Sequence, residues 1–179
     1  MPDFYALDEI ERIAVNLFYG WGYNFYRLEN QLRADDLTVR SKVSGLLGAA
    51  RASVESAESV FRAERLPPPS REKPRPDASA VLDAQTLEKL AAAIGALEGR
   101  IRAQPAPEND RMTQRYRHEA ETLEKLLRSD MTLAARAEIL RATLDGKDGG
   151  WMIENAAVVR DGLKAIESAL RERGAALTV

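Results

Sequence analysis

Apolar residues recur at three- and four-residue intervals along most of the chain, and no stretch alternates with the period of a strand. Leu7, Ile10, Ala14, Leu17, Trp21, Leu28 and Leu32 keep that spacing, with Phe18 and Phe25 beside them. They predict a helix from about Asp8 to Arg33 with one wide apolar face. Gly20 and Gly22 interrupt it at about 1 kcal/mol each relative to Ala, which suggests a bend or the close approach of another backbone. Asp35 and Asp36 are placed to cap a second helix running from near Leu37 to about Arg65. Its seam is Val39, Val43, Leu46, Ala50, Val54, Ala57 and Phe61, thinned by alanines and by Gly45 and Gly48 for tight helix contact. Neither Pro nor Gly separates the two segments beyond Gly22, so one long rod is conceivable. A hairpin is the more compact arrangement and is the one expected.

Prolines at 67, 68, 69, 74 and 76 then forbid helix, so residues 66–77 read as an extended spacer. A third helix follows Asp77 or Ser79 and ends near Ala103, on the seam Leu87, Leu90, Ile94, Leu97 and Ile101. A fourth is expected from about Glu108 to Arg128, with Met112, Tyr116 and Leu123 inward. Ser129 or Asp130 then caps a short fifth helix carrying Leu133, Ala137, Leu140 and Leu144. After a Gly-rich turn at 145–150, a last helix from Trp151 to Arg173 buries Met152, Ala156, Val159, Leu163, Ile166 and Leu170 and stops at Gly174.

The expected fold class is therefore all-α. It is an antiparallel bundle of about six helices, with an N-terminal hairpin (1–65) joined by a Pro-rich linker (66–77) to a C-terminal helical part (78–179).

The aromatic residues are unevenly placed: eight of eleven fall in the first 26 positions, six of them between Leu17 and Tyr26. Within this region Arg12, Asn16, Tyr19, Tyr23, Tyr26, Asn30 and Arg33 repeat at steps of four and three, giving a polar and hydroxyl-bearing stripe well away from the Leu/Trp seam. Tyr and Arg combine apolar area with directed polar groups, as contact surfaces require. Asn16, Tyr19, Trp21, Tyr23, Tyr26, Asn30 and Arg33 are accordingly the candidate partner- or ligand-binding residues. The same stripe could instead be packed between neighbouring helices, its hydroxyls satisfied at the rim. A membrane-surface role is disfavoured, because Asp8, Glu9, Glu11 and Glu29 stand where an interfacial helix carries cations.

Charge and composition narrow the chemistry further. The formal net charge is −2 and no segment is strongly basic, so nucleic-acid binding is not expected, even with the arginine-rich run at 111–117. With no cysteine, thiolate catalysis and thiolate metal sites are excluded. His118 is the single histidine and does not form a Glu-x-x-His ligand pair. Asp145, Asp148 and Glu154 miss the spacing of a calcium loop and read as a turn. Phosphate-loop, nucleophile-elbow and dinucleotide fingerprints are absent. No metal, catalytic residue or cofactor is therefore expected.

The acidic start lacks a secretory signal pattern, no apolar run is long enough to span a bilayer, and a cytoplasmic location is expected. Arginine greatly outnumbers lysine, which with abundant alanine points to a bacterium with a GC-rich genome.

These features point to a non-enzymatic protein-interaction module, a helical adaptor, assembly factor or regulatory accessory protein. It would bind a protein partner, a second copy of itself as a homodimer, or both. The alternative is a small-molecule-binding or metal-independent catalytic bundle with a pocket lined by Tyr, Asn and Arg.

Overall fold

The computed structural model describes residues 2–21, 32–71, 75–104 and 120–177. Among them are six helices and no strand: α1 (Leu7–Gly20), α2 (Leu32–Arg65), α3 (Ala78–Arg102), α4 (Ala120–Leu144), α5 (Gly149–Glu154) and α6 (Ala156–Leu177). The fold is an all-α helical bundle. Helix α2 packs against α3 and α4, α6 against α4 and α3, and short α5 bridges α2, α3 and α6. Four long helices thus close a ring, and α1 lies outside it with α4 as its principal neighbour.

Pairing directions follow from the cross-links. Arg62 meets Glu88 and Arg51 meets Glu98, so α2 and α3 run antiparallel. Asp130 meets Arg173, and Arg136 meets the Ala165 carbonyl, so α4 and α6 do the same. The residues between α2 and α3 that are described are non-helical, as five prolines require. Asp77 ends that stretch by accepting from the Ser79 N–H at 3.0 Å, an N-cap for α3.

The seams form the core. Val39, Val43, Ala50, Val54 and Ala57 are buried on α2, with Leu47 fully buried and Leu46 only half so. Leu87, Leu90, Ile94, Leu97 and Ile101 are buried on α3, and Val159, Leu163, Ile166 and Leu170 on α6. On α4 every residue from Leu133 to Ala137 is buried. Touching α1, α2 and α6 at once, this helix has no solvent face there, and Ala134, Ala135 and Ala137 let the neighbours approach.

Four expected boundaries change. Asp35 and Asp36 lie inside α2 instead of capping it. No break occurs at Ser129 or Asp130: α4 is continuous, because Asp130 is buried and its carboxylate accepts from Arg173 at 2.5 Å instead of capping a helix. The last helix is divided at Asn155, whose side-chain amide donates to the Trp151 carbonyl. Gly174 does not stop α6, which continues to Leu177.

One buried polar atom makes a simple prediction. Ser44 is 1% exposed and its hydroxyl makes no hydrogen bond. Burying a hydroxyl without a partner costs about 1–3 kcal/mol. Ser44→Ala should therefore leave the thermal midpoint unchanged or raise it, and a clear fall in scanning calorimetry would show that the hydroxyl is bonded.

Candidate contact face

Ordinary side-chain chemistry fixes the placement of α1. Asp3 accepts from the backbone N–H of Tyr5 (2.8 Å) and Ala6 (3.1 Å), turning the chain into the helix. Phe4 is thereby driven between α4 and α6, where it is 2% exposed. Its ring lies on Gly162 of α6, and a Cβ at that position would fall 2.6 Å from Phe4 Cζ. Arg136 of α4 completes the socket: Nε donates to the Phe4 carbonyl (3.1 Å) and a terminal nitrogen to the Ala165 carbonyl (2.7 Å). The guanidinium also sits 5.5 Å from the centre of the Tyr5 ring. The Tyr5 hydroxyl donates to Asp161 at 3.3 Å. Partial desolvation and the Asp161 carboxylate raise the Tyr5 pKa, so the phenol stays protonated and able to donate through neutral pH.

Beyond this anchor, Ile10, Ala14 and Phe18 are buried where α1 meets the bundle, and Trp21 stands 5.3 Å from Phe18 at a tilt of 37°. The opposite side carries exposed Arg12 and Tyr19, the latter 71% exposed, with exposed Asn16 where that side meets a cleft against α4. Leu7, at the start of the helix, is 77% exposed.

The seven sequence-predicted residues are thus placed as follows. Asn16 and Tyr19 share the outward side of α1. Trp21 is half-buried against Phe18 at the core edge. Helix α1 ends at Gly20, and Arg33 belongs to α2, so these two are not carried by one helix as expected. Tyr23, Tyr26 and Asn30, like His118, Met112 and Tyr116, lie outside the described residues.

Open clefts border the bundle among the described residues, two of them of note. One, of about 490 Å³, runs between α1 and α4 and is lined by Asp3, Glu9, Ile13, Asn16, Leu17, Glu138, Ile139 and Ala142. The other, of about 760 Å³, separates the C-terminal half of α2 from the turn before α5, with Ser53, Ser56, Val60, Phe61, Lys147 and Gly149 on its walls. Glu64 and Asp148 there offset Arg65 and Lys147. The turn itself is built as turns are: Gly146 has a positive φ of 64°, and Asp148 accepts from the Trp151 N–H at 2.7 Å to cap α5. Asp145 receives Arg141 at 3.4 Å.

Among the described residues no group of three or more His, Cys, Asp or Glu is placed to hold a metal ion, and no helix is long and apolar enough to cross a membrane. No protein-family model matches the chain, and no match to it was found among curated proteins or solved structures.

Sequence reasoning did not single out Phe4, Arg136, Asp161 or Gly162. A signal was present: Arg136 falls next to the seam of Leu133, Ala137 and Leu140, where a charged side chain is buried unless it turns outward.

Proposed function

We propose that this chain is a non-enzymatic protein-interaction module, an adaptor, assembly factor or regulatory accessory protein, whose contact face is the outward side of α1. The observation that carries this reading is the exposure of Tyr19 on the outward side of a helix that is otherwise firmly seated. A large aromatic side chain left in water loses the burial it could supply, about 1.5–3 kcal/mol for a Phe-sized group. Partners that cover such residues recover it, and aromatic residues dominate contact energetics. The occupant of this face is a protein partner or a second copy of the chain.

Site-specific photo-crosslinking tests the idea. A benzophenone amino acid placed at Tyr19 in the native host should give one dominant adduct, to another protein or to the chain itself, while the same group at exposed Lys164 on α6 gives none. Tyr19→Ala should weaken the complex at least tenfold, about 1.4 kcal/mol. Equal, diffuse labelling from both positions would remove the reading.

The small-molecule alternative has one observation in its favour, the presence of Asn16 on the wall of the α1–α4 cleft. That cleft is open and Tyr19 does not line it, which weakens the case for an enclosed polar pocket.

A further inference from the structure

We propose that the cleft between α1 and α4 receives a cationic amphipathic helix from a partner protein, an inference that rests on the interaction-module reading and names the chemistry of one partner. Shape comes first. Along α1 the wall is built by Glu9, Ile13, Asn16 and Leu17, residues one helical face apart that extend over roughly 12 Å at 1.5 Å per residue. Ile139 and Ala142 form the facing wall on α4, so the cleft is a groove between two helix ridges with an apolar floor. An incoming helix with apolar residues at i, i+3, i+4 and i+7 fits such a groove, and Asn16 stands at its edge as a hydrogen-bonding group.

Charge then selects the partner. No Lys or Arg lines the cleft, whereas Asp3, Glu9 and Glu138 do. Glu138 is balanced, since both its oxygens accept from Arg141 at 2.7 Å, and Glu9 has Arg12 3.8 Å away as a loose, exposed partner. The α1 side stays net negative: residues 2–21 hold Asp3 and Glu9 on the cleft and Asp8 and Glu11 away from it against Arg12 alone, three net negative charges. Lys and Arg flanking an apolar ridge complement that wall and speed its encounter with the groove. A second copy docking through its own α1 would bring an equally acidic helix to the site.

The test uses the full chain and a fluorescein-labelled helical 14-mer of Leu and Lys, with Leu at i, i+3, i+4 and i+7. A second 14-mer carries Glu at every Lys position. Fluorescence anisotropy should show saturable binding of the Lys peptide and at least tenfold weaker binding of the Glu peptide. Ala142 is exposed, so Ala142→Trp fills the groove from outside without disturbing the core. It should cost the Lys peptide at least tenfold in affinity, and Asn16→Trp, from the other wall, should do the same, both with unchanged circular dichroism. Raising the salt should weaken binding further. Equal binding of the two peptides, or affinity unaffected by either tryptophan, overturns the proposal. Tyr19 is not part of the groove, so loss of its crosslink would sink the interaction reading while leaving the peptide result to stand by itself.

Discussion

Replacing Asp130 with Ala should destabilise the fold by about 3–5 kcal/mol, the usual cost of removing one partner from a buried ion pair. Asp130 lies on α4 and Arg173 on α6, and both side chains are almost wholly withdrawn from water. Their 2.5 Å contact compensates two desolvated charges. Arginine cannot neutralise itself by losing a proton, so deleting the carboxylate removes the charged group that offsets a buried guanidinium. Urea unfolding followed by circular dichroism should show a lower midpoint at an unchanged slope. The control is the double variant Asp130→Leu/Arg173→Met. With both charges gone and the volume roughly kept, most of the loss should be recovered, because such replacements are often neutral or better. A loss below about 1 kcal/mol for Asp130→Ala would mean that water or other groups solvate Arg173 in the variant.

The same aspartate shows where the sequence was legible and where it was not. Seam residues on α2, α3, α4 and α6 could be read from spacing alone, because a helix that buries one face repeats at three and four. The helix limits were read less well, and the errors share a cause. Asp130, Asp35 and Asp36 have the chemistry of a cap, and local chemistry favours a break there. A buried arginine on another helix outweighs that preference at Asp130, and its arrival depends on how α4 and α6 are packed. Gly174 is similar, being a residue that can stop a helix but does not compel it to stop.

The outward side of α1, the proposed contact face, was legible in part. Arg12, Asn16 and Tyr19 share a side of α1 because steps of three and four put them there. That α1 would lie on α4 was not visible, since nothing in the spacing of Ile10, Ala14 and Phe18 chooses among apolar partners. Specificity comes from the socket, where Phe4, Arg136 and Gly162 meet across 132 residues between the Phe4 carbonyl and Arg136. A mid-helix glycine and a seam-side arginine are the traces such a socket leaves in a sequence, and each has commoner explanations.

Gly162→Ala therefore probes the seating of α1 at its root, and its sign should depend on Phe4. Alone, the methyl group would be placed 2.6 Å and 2.8 Å from two carbons of the Phe4 ring, well inside the roughly 3.5–4.0 Å of a relaxed contact. The ring has little room to yield, because Arg136 holds its carbonyl and Asp3 fixes the turn behind it. Overpacking of this kind costs about 1–3 kcal/mol, against which Ala gains about 1 kcal/mol in a helix. Steric cost wins, and the cheapest escape is to unseat the N-terminal segment and not to part α4 from α6. Hydrogen exchange should accordingly speed up in α1, at Ile10 and Ala14, while α2 and α3 keep their protection. In a Phe4→Ala background the clash is gone, and the same Gly162→Ala change should become stabilising by up to about 1 kcal/mol. A reversal of sign between the two backgrounds identifies the ring-on-glycine contact as the device that seats α1. If the change destabilises equally in both, α6 objects to the methyl group for a reason unrelated to Phe4, and the seating of α1 must come from its stripe on α4.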